Sequence, residues 1–343
     1  MATRFQQVSS SQPRGWVKGK AIGFGSQGNV HLAMNKATEE IFVVKSAHSS
    51  NNLKSLENEA FFLENLNSPY IVQYLGKNIS KDENRISIFM EYMSKGSVSD
   101  VAETYGRKLD EGIVRLYTKE ILHGLKYIHE QNIVHCDIKC KNVLIDSSGN
   151  VKLADFGCAK RVNNLEKNGN LLQDIGGTPL WMAPEVLRKE RLDFASDIWS
   201  LGCTVIEMVS GMAPWSAQLL NPMAAVLKIA YSDEKPQLPA YFSDEGLDFL
   251  EKCLERNPDK RWTAEQLLDH PFISGKSQRE FVRSPVSVFD IGIFEDFYYD
   301  ESEIPNEDDF RGRNPFSMRY CEERKRIEND FGASDDWITV RSV

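Results

Sequence analysis

Two hydrophobic periods divide the chain. From Trp16 to about Ala47 the pattern is strand-like, with Val, Ile and Phe positions interrupted by glycines. Leu53 to Leu66 changes to helical spacing, with Leu53, Leu56, Ala60 and Leu63 apolar and glutamates between them. Ile86 to Met90 is again a short, mainly apolar strand. After Gly96 helical spacing takes over. Ile113–His129 places Val114, Tyr117, Ile121, Leu125 and Ile128 three and four apart, the single apolar stripe of an amphipathic helix. Val143–Ile145 and Val151–Leu153 flank Ser147-Ser148-Gly149-Asn150, the composition of a hairpin turn. Further helical patterns run over Asp197–Ser210, Met223–Tyr231 and Asp244–Glu255, and regularity ends near Ile273. A small sheet-rich lobe followed by a large helical lobe predicts an α+β fold.

The pattern divides the chain into an arm at 1–15, a folded unit at 16–273 and a tail at 274–343. The arm is polar and read as disordered. The tail carries 16 acidic against 10 basic residues, so most of the net charge of −9 lies there. It also holds 11 aromatics, which separates it from a simple solvated linker. A regulatory or interaction role, with a tail-binding partner, is the expectation; the alternative reading is a disordered, solvating chain.

Charge and composition exclude several classes. A net charge of −9 speaks against nucleic acid as partner, because phosphate backbones select basic surfaces. No stretch approaches the ~18 uninterrupted apolar residues of a membrane helix. Met1 to Gly15 lacks the apolar region of a secretory signal, and Ala2 stands where N-myristoylation requires glycine. Cys136 and Cys140 are four apart, but no second pair follows at zinc-site spacing. The expectation is reduced thiols in a cytoplasmic protein, with the nucleus as a second location.

Three features carry chemistry. Gly23-Phe24-Gly25-Ser26-Gln27-Gly28-Asn29-Val30 reads G-x-G-x-x-G-x-V, whose glycines let backbone fold closely over phosphates and offer N–H donors. A strand rather than a helix follows, so this reads as a hairpin lid and not the opening of a dinucleotide-binding unit. Lys45 ends the apolar run Ile41-Phe42-Val43-Val44 and can serve as a point charge for phosphates. Glu57, Glu59 and Glu64 are its available partners on the next helix, and Glu59 shares the face of Leu63 and Leu66. The densest cluster is His135-Cys136-Asp137-Ile138-Lys139-Cys140-Lys141-Asn142, followed by Asp155-Phe156-Gly157 and then Ala183-Pro184-Glu185. Phosphoryl transfer needs a carboxylate near the acceptor hydroxyl, a lysine on the γ-phosphate and oxygen ligands for magnesium. Asp137, Lys139, Asn142 and Asp155 supply that set.

With these motifs in this order, residues 16–273 resemble the eukaryotic protein kinase domain. The resemblance implies a bilobal fold that uses ATP and Mg2+. It implies a Lys45–Glu59 salt bridge, Asp137 as catalytic base, and Asn142 and Asp155 as metal ligands. Ile22, Gly23, Phe24, Gly25, Ser26, Gln27, Gly28, Val30, Val43, Met90, Glu91, Met93 and Leu144 would line the nucleotide site, with Met90 as gatekeeper and Glu91-Tyr92-Met93 as hinge. Asp197 looks like the buried brace of the catalytic loop, and Arg261 like the partner of Glu185. Lys139, and Thr178 in Gly177-Thr178-Pro179, resemble the serine/threonine class. The stretch from Gly177 to Glu185 is similar to mitogen-activated protein kinase kinase kinases. His135–Lys139, Asp155–Lys160 and the terminal Asp336–Arg341 resemble a plant group of these, linked to stress and hormone signalling. A mitogen-activated protein kinase kinase is the implied substrate; the rival reading is a pseudokinase or scaffold without phosphotransfer.

The chain departs from the family pattern at three places. Cys136 replaces the usual arginine before the catalytic aspartate, Val43 the usual alanine, and Gln27 an aromatic at the lid tip. Residues 158–177 contain no serine, threonine or tyrosine. The expectation is a kinase that does not need activation-loop phosphorylation.

Overall fold

The computed structural model describes residues 15–25, 28–47, 50–80, 85–162, 176–216, 221–275 and 338–339. The first lobe is an antiparallel sheet. Its strands are β1 (Trp16–Gly25), β2 (Gly28–Asn35), β3 (Ile41–Ala47), β4 (Tyr74–Ser80) and β5 (Arg85–Glu91), with helix α1 (Ser50–Leu63) packed against it. The spatial order is β1-β2-β3-β5-β4, so β3 and β5 are central. Their mainly apolar runs follow from period-two alternation with both faces covered. Phe42, Val44 and Phe89 point to one face, where Trp16 meets Phe42 and Phe89 edge-on at 6.0 and 5.5 Å. Val43, Ile88 and Met90 point to the other and join the main core.

Three expectations change here. Lys45 does not end its strand; β3 continues to Ala47, and the lysine is 7% exposed in mid-sheet. Helix α1 spans Ser50–Leu63 rather than Leu53–Leu66, closing in a turn where Asn65 N–H donates to Phe62 O. Asn65, Asn67 and Pro69 cannot prolong it. Strand β4 went unpredicted because Gly76, Lys77 and Asn78 dilute its pattern; it is the sheet's edge, with an irregular register between Tyr74 and Gly76.

The second lobe begins with β6 (Gly96–Ser97) and α2 (Val98–Thr104), whose capping box pairs Ser97 with Asp100. Helix α3 (Glu111–Glu130) buries the predicted stripe Val114, Tyr117, Ile121, Leu125 and Ile128. Short strands β7 (Ile133–Val134), β8 (Val143–Ile145), β9 (Val151–Leu153) and β10 (Lys160–Arg161) then carry the functional loops, with β8 and β9 paired as the sequence predicted. The remaining helices are α4 (Pro184–Leu187), α5 (Phe194–Ser210), α6 (Pro222–Tyr231), α7 (Asp244–Cys253), α8 (Ala264–Leu268) and α9 (Pro271–Ser274). α5 is buried almost all round, from Ser196 to Ile206, and forms the lobe's spine. α7 stops two residues short of Glu255, ahead of Pro258. Among the described residues no helix is long and apolar enough to cross a membrane. Two residues near the C-terminus, Ile338 and Thr339, form β11, antiparallel on the outer edge of β1 through Val17↔Thr339 and Lys18↔Ile338. The rest of the predicted tail after Gly275, and the arm before Gly15, lie outside the described residues.

One ion pair holds the bottom of the second lobe. Arg261 grips Glu185 with its two terminal guanidinium nitrogens, at 2.7 and 3.2 Å, with both side chains buried. It also donates to the carbonyls of Glu255 and Ala195. Removing one partner strands a buried charge, at a cost of about 3–5 kcal/mol. Arg261→Ala is therefore expected to lose that amount in chemical denaturation. Arg261→Lys should lose nearly as much, because an ammonium cannot reproduce the bidentate fork. A Lys variant of wild-type stability would show that charge alone matters.

Candidate active site

Alternation along β3 aims Lys45 at the inner face, toward α1 and the second lobe. Its Nζ lies 2.7 Å from Glu59 Oε2 and 3.1 Å from Asp155 Oδ1. Of the three glutamates the sequence offered, α1 brings Glu59 in, at 1% exposure; Glu57 is exposed, and Glu64 meets Lys77 at 3.0 Å. Burial alone would push the Lys45 ammonium down; Glu59 and Asp155 together outweigh it and hold the lysine charged, above its ordinary value. Burial pushes the Glu59 carboxyl up, opposed by Lys45.

Asp137 sits in the loop between β7 and β8. It accepts from Lys139 Nζ at 2.8 Å, Thr178 Oγ1 at 2.7 Å and Asn142 Nδ2 at 2.8 Å. Lys139 Nζ also reaches Thr178 Oγ1 at 2.5 Å, so Asp137, Lys139 and Thr178 close a ring. Burial would raise the Asp137 carboxyl, but Lys139 above all, then Thr178, holds it below its usual value. At neutral pH it is an ionised acceptor, as a base must be. Thr178 reaches it because Gly177 adopts φ +134°, where a Cβ would stand 2.6 Å from Cys136 O.

Asp197 braces this loop from beneath. Fully buried on α5, it accepts from the backbone N–H groups of His135 (2.8 Å) and Cys136 (2.9 Å) and lies 2.9 Å from His129 Nε2. Cys136 has φ +68°, a left-handed conformation costing a non-glycine residue roughly 1–2 kcal/mol. The Asp197 hydrogen bonds offset that strain. Burial, then Asp197, pushes the Cys136 thiol up, so it stays neutral. The cysteines among the described residues are free thiols.

Of the residues that the resemblance places around the nucleotide, all but Ser26 and Gln27 are among the described residues. Val43 and Met90 are opposed across β3 and β5, and both are buried, as is Met93; Leu144 on β8 is half-buried. Gly23 pairs with Val30, and position 28 requires glycine, both for its φ of +134° and because a Cβ would lie 2.5 Å from Ser46 O. Ile22 is 43% exposed at the rim. Phe24 and Gly25 belong to β1, while Ser26 and Gln27 lie outside the described residues. The Glu91 carboxylate turns toward the second lobe, where Lys152 Nζ meets both its oxygens at 2.7 and 2.8 Å; the hinge residue thus acts as a lobe-to-lobe tether, a role sequence reading missed.

The donor set fits a magnesium-bound nucleoside triphosphate. Asp155 offers carboxylate oxygen, and Asn142, whose Nδ2 is committed to Asp137, offers its amide oxygen; such hard oxygens suit Mg2+. The apolar side chains of Val43, Met90 and Met93 suit a purine, and Lys45 would supply positive charge for phosphates. Bound magnesium would neutralise developing charge on the transferred group. The chain's own groups would do the rest: Lys45 and Lys139 would orient phosphate oxygens, and Asp137 would accept the proton of an acceptor hydroxyl as its oxygen bonds to the γ-phosphorus and the bond from that phosphorus to the bridging oxygen breaks, the diphosphate leaving with the electron pair.

Comparison with known proteins agrees with this geometry. A family model described as Protein kinase domain matches residues 16–273, and the chain belongs to that family. It is a serine/threonine protein kinase. Mitogen-activated protein kinase kinase kinase 17 of Arabidopsis thaliana is 42% identical over 287 residues, covering 80% of this chain and 76% of that protein. Mitogen-activated protein kinase kinase kinase 18 of the same plant is 39% identical over 352 residues, covering 95% and 99%. Mitogen-activated protein kinase kinase kinase 3 of Homo sapiens is 42% identical over 271 residues, covering 77% of this chain but 43% of its own.

Asp137→Asn should lower kcat by at least about 10²–10⁴ while the protein stays folded, since general-base catalysis contributes that much. Lys45→Met should be similarly inactive; wild-type rates in either, with contaminating kinases excluded, would refute the assignment. Lys139→Met removes the main influence holding the Asp137 carboxyl down and leaves the burial that raises it. The acid limb of its kcat/KM profile should therefore move to higher pH; an unmoved limb would separate the limb from Asp137.

Proposed function

We propose that this kinase phosphorylates serine or threonine in the activation loop of a mitogen-activated protein kinase kinase, within a stress or hormone signalling cascade. The observation that carries the reading is similarity along nearly the whole chain to an Arabidopsis protein named for the step above such kinases. ATP with Mg2+ is the phosphate donor, matching the oxygen donors at Asp155 and Asn142. A cytoplasmic or nuclear location, and a partner for the tail, belong to the same proposal. The pseudokinase alternative has no missing group to rest on, since Lys45, Glu59, Asp137, Asn142 and Asp155 stand at bonding distances.

The test is a panel of catalytically inactive mitogen-activated protein kinase kinases, incubated with enzyme and Mg-ATP and mapped by mass spectrometry. Activation-loop phosphoserine or phosphothreonine is expected. Phosphotyrosine as the dominant product would sink the acceptor assignment.

Control by activation-loop phosphorylation is not part of this proposal. Cys136 cannot pair with a phosphate as arginine does. Thr178, the one hydroxyl between Cys158 and Ala183, is already bound to Asp137 and Lys139. A phosphate there would set a dianion against the base. Enzyme stripped by phosphatase should show its full initial rate at once. A lag relieved by phosphate mapping to Thr178 would overturn this.

A further inference from the structure

Helix α1 touches the Asp155-Phe156-Gly157 turn at a second point that neither the motifs nor the reaction require. Asn58, the residue before Glu59, directs its amide nitrogen at three backbone carbonyls: Phe156 O at 3.2 Å, Gly157 O at 3.1 Å and Ala159 O at 3.0 Å. The chemistry fixes the amide's orientation, because only the NH2 end can face three acceptors. Two hydrogens serve three oxygens, so the contact is a shared one, with the carbonyl dipoles converging on it.

We propose that Asn58 is a positioning residue for phosphotransfer: its amide fastens the turn that follows Asp155 to helix α1 and so fixes where the Asp155 carboxylate meets its cation. Two observations support this beyond the contact itself. Asp155 has φ +66° and ψ +68°, a left-handed conformation uncommon outside glycine, asparagine and aspartate and one that surrounding contacts keep in place. The carbonyls Asn58 grips begin at the very next residue. Asn58 and Glu59 are also adjacent on one helix, and Glu59 reaches Asp155 from the other side through Lys45. The helix therefore holds the backbone that follows Asp155 directly and the Asp155 side chain through Lys45, and an outward shift of α1 breaks both holds together. In a kinase with cysteine at position 136, this anchor does locally what a phosphate–arginine pair does elsewhere, ordering the start of the activation segment.

The inference rests on the phosphotransfer chemistry and not on the identity of the substrate, so it is tested with a generic serine-containing acceptor peptide. Loss of an outer contact to a metal ligand typically costs about 10–100-fold in metal affinity or activity. Asn58→Ala is expected to lower kcat by about that factor, raise the half-saturating Mg2+ concentration, and leave the KM for peptide unchanged. The rise in melting temperature on adding Mg2+ with a non-hydrolysable ATP analogue should shrink in parallel. Asn58→Asp separates positioning from packing, because it keeps the shape and replaces the donor with a carboxylate facing three oxygens. Those oxygens disfavour the anion, so protonation on lowering the pH restores an O–H donor. Its activity relative to wild type should be lowest at mildly alkaline pH and recover as pH falls. If Asn58→Ala does not purify folded, the Asn58→Asp profile decides. Wild-type Mg2+ dependence and nucleotide stabilisation in both variants, or an Asn58→Asp enzyme matching wild type at every pH, would overturn the proposal.

Discussion

A lysine ammonium held almost out of water between two carboxylates is the contact on which the rest of this molecule turns. Lys45 comes from β3, Glu59 from α1 and Asp155 from the loop after β9 of the second lobe. An isolated charge at that depth would be very costly, so the three segments are stable only where they meet. The meeting decides the fold of the cleft. It requires β3 to be central and covered on both faces, α1 to lie with Glu59 inward, and Asp155 to accept left-handed backbone. The position that binds phosphate is thereby the one that registers the two lobes.

Asp197 plays the matching part below the cleft. A carboxylate buried on an apolar helix is stable here because three donors or potential donors surround it, two of them backbone N–H groups of the catalytic loop. The loop in turn obtains a fixed shape despite the left-handed Cys136. His135 extends the linkage: its ring meets Ala154 O at 3.0 Å and lies 4.7 Å from the Phe156 ring. Catalytic loop and metal-ligand loop are thereby joined side by side through His135.

Most of this site was legible because its chemistry demands rare residue types at fixed spacing. Asp137, Lys139 and Asn142 lie within six consecutive positions, and glycine is compulsory at 28 and 177, where a Cβ would strike backbone. The helices α3 and α5 were legible because their periodic stripes are long. What sequence could not show depends on partners distant in the chain. Asn58 looks like any polar helix residue until Phe156, Gly157 and Ala159 are brought under it. Glu91 reads as a hinge residue, and its tether to Lys152 spans 61 positions. Lys45 resembled a strand end because its charge broke the apolar run, yet burial against Glu59 lets the strand continue. Edge strand β4 and the capped helix α2 are too short or too polar to signal themselves by period.

The distribution of strain follows from the same logic. Asp155 and Cys136 both hold positive φ, and Lys45 and Glu59 are both buried charges. Each is unfavourable alone, and all four stand within one network at the cleft. Strain of this kind persists only where surrounding structure over-determines it. The second lobe supplies that surplus through the buried length of α5 and the Arg261–Glu185 pair. The first lobe has less to give, since its helix α1 is its only long helix among the described residues and carries both Asn58 and Glu59. Loosening should therefore begin at α1 and spread to Asp155 through its two anchors, while Asp137 and Asn142, braced by Asp197 and the second lobe, keep their places. The catalytic base and the metal-ligand turn then differ in how they are held: the base by the rigid lobe alone, the turn by agreement between both.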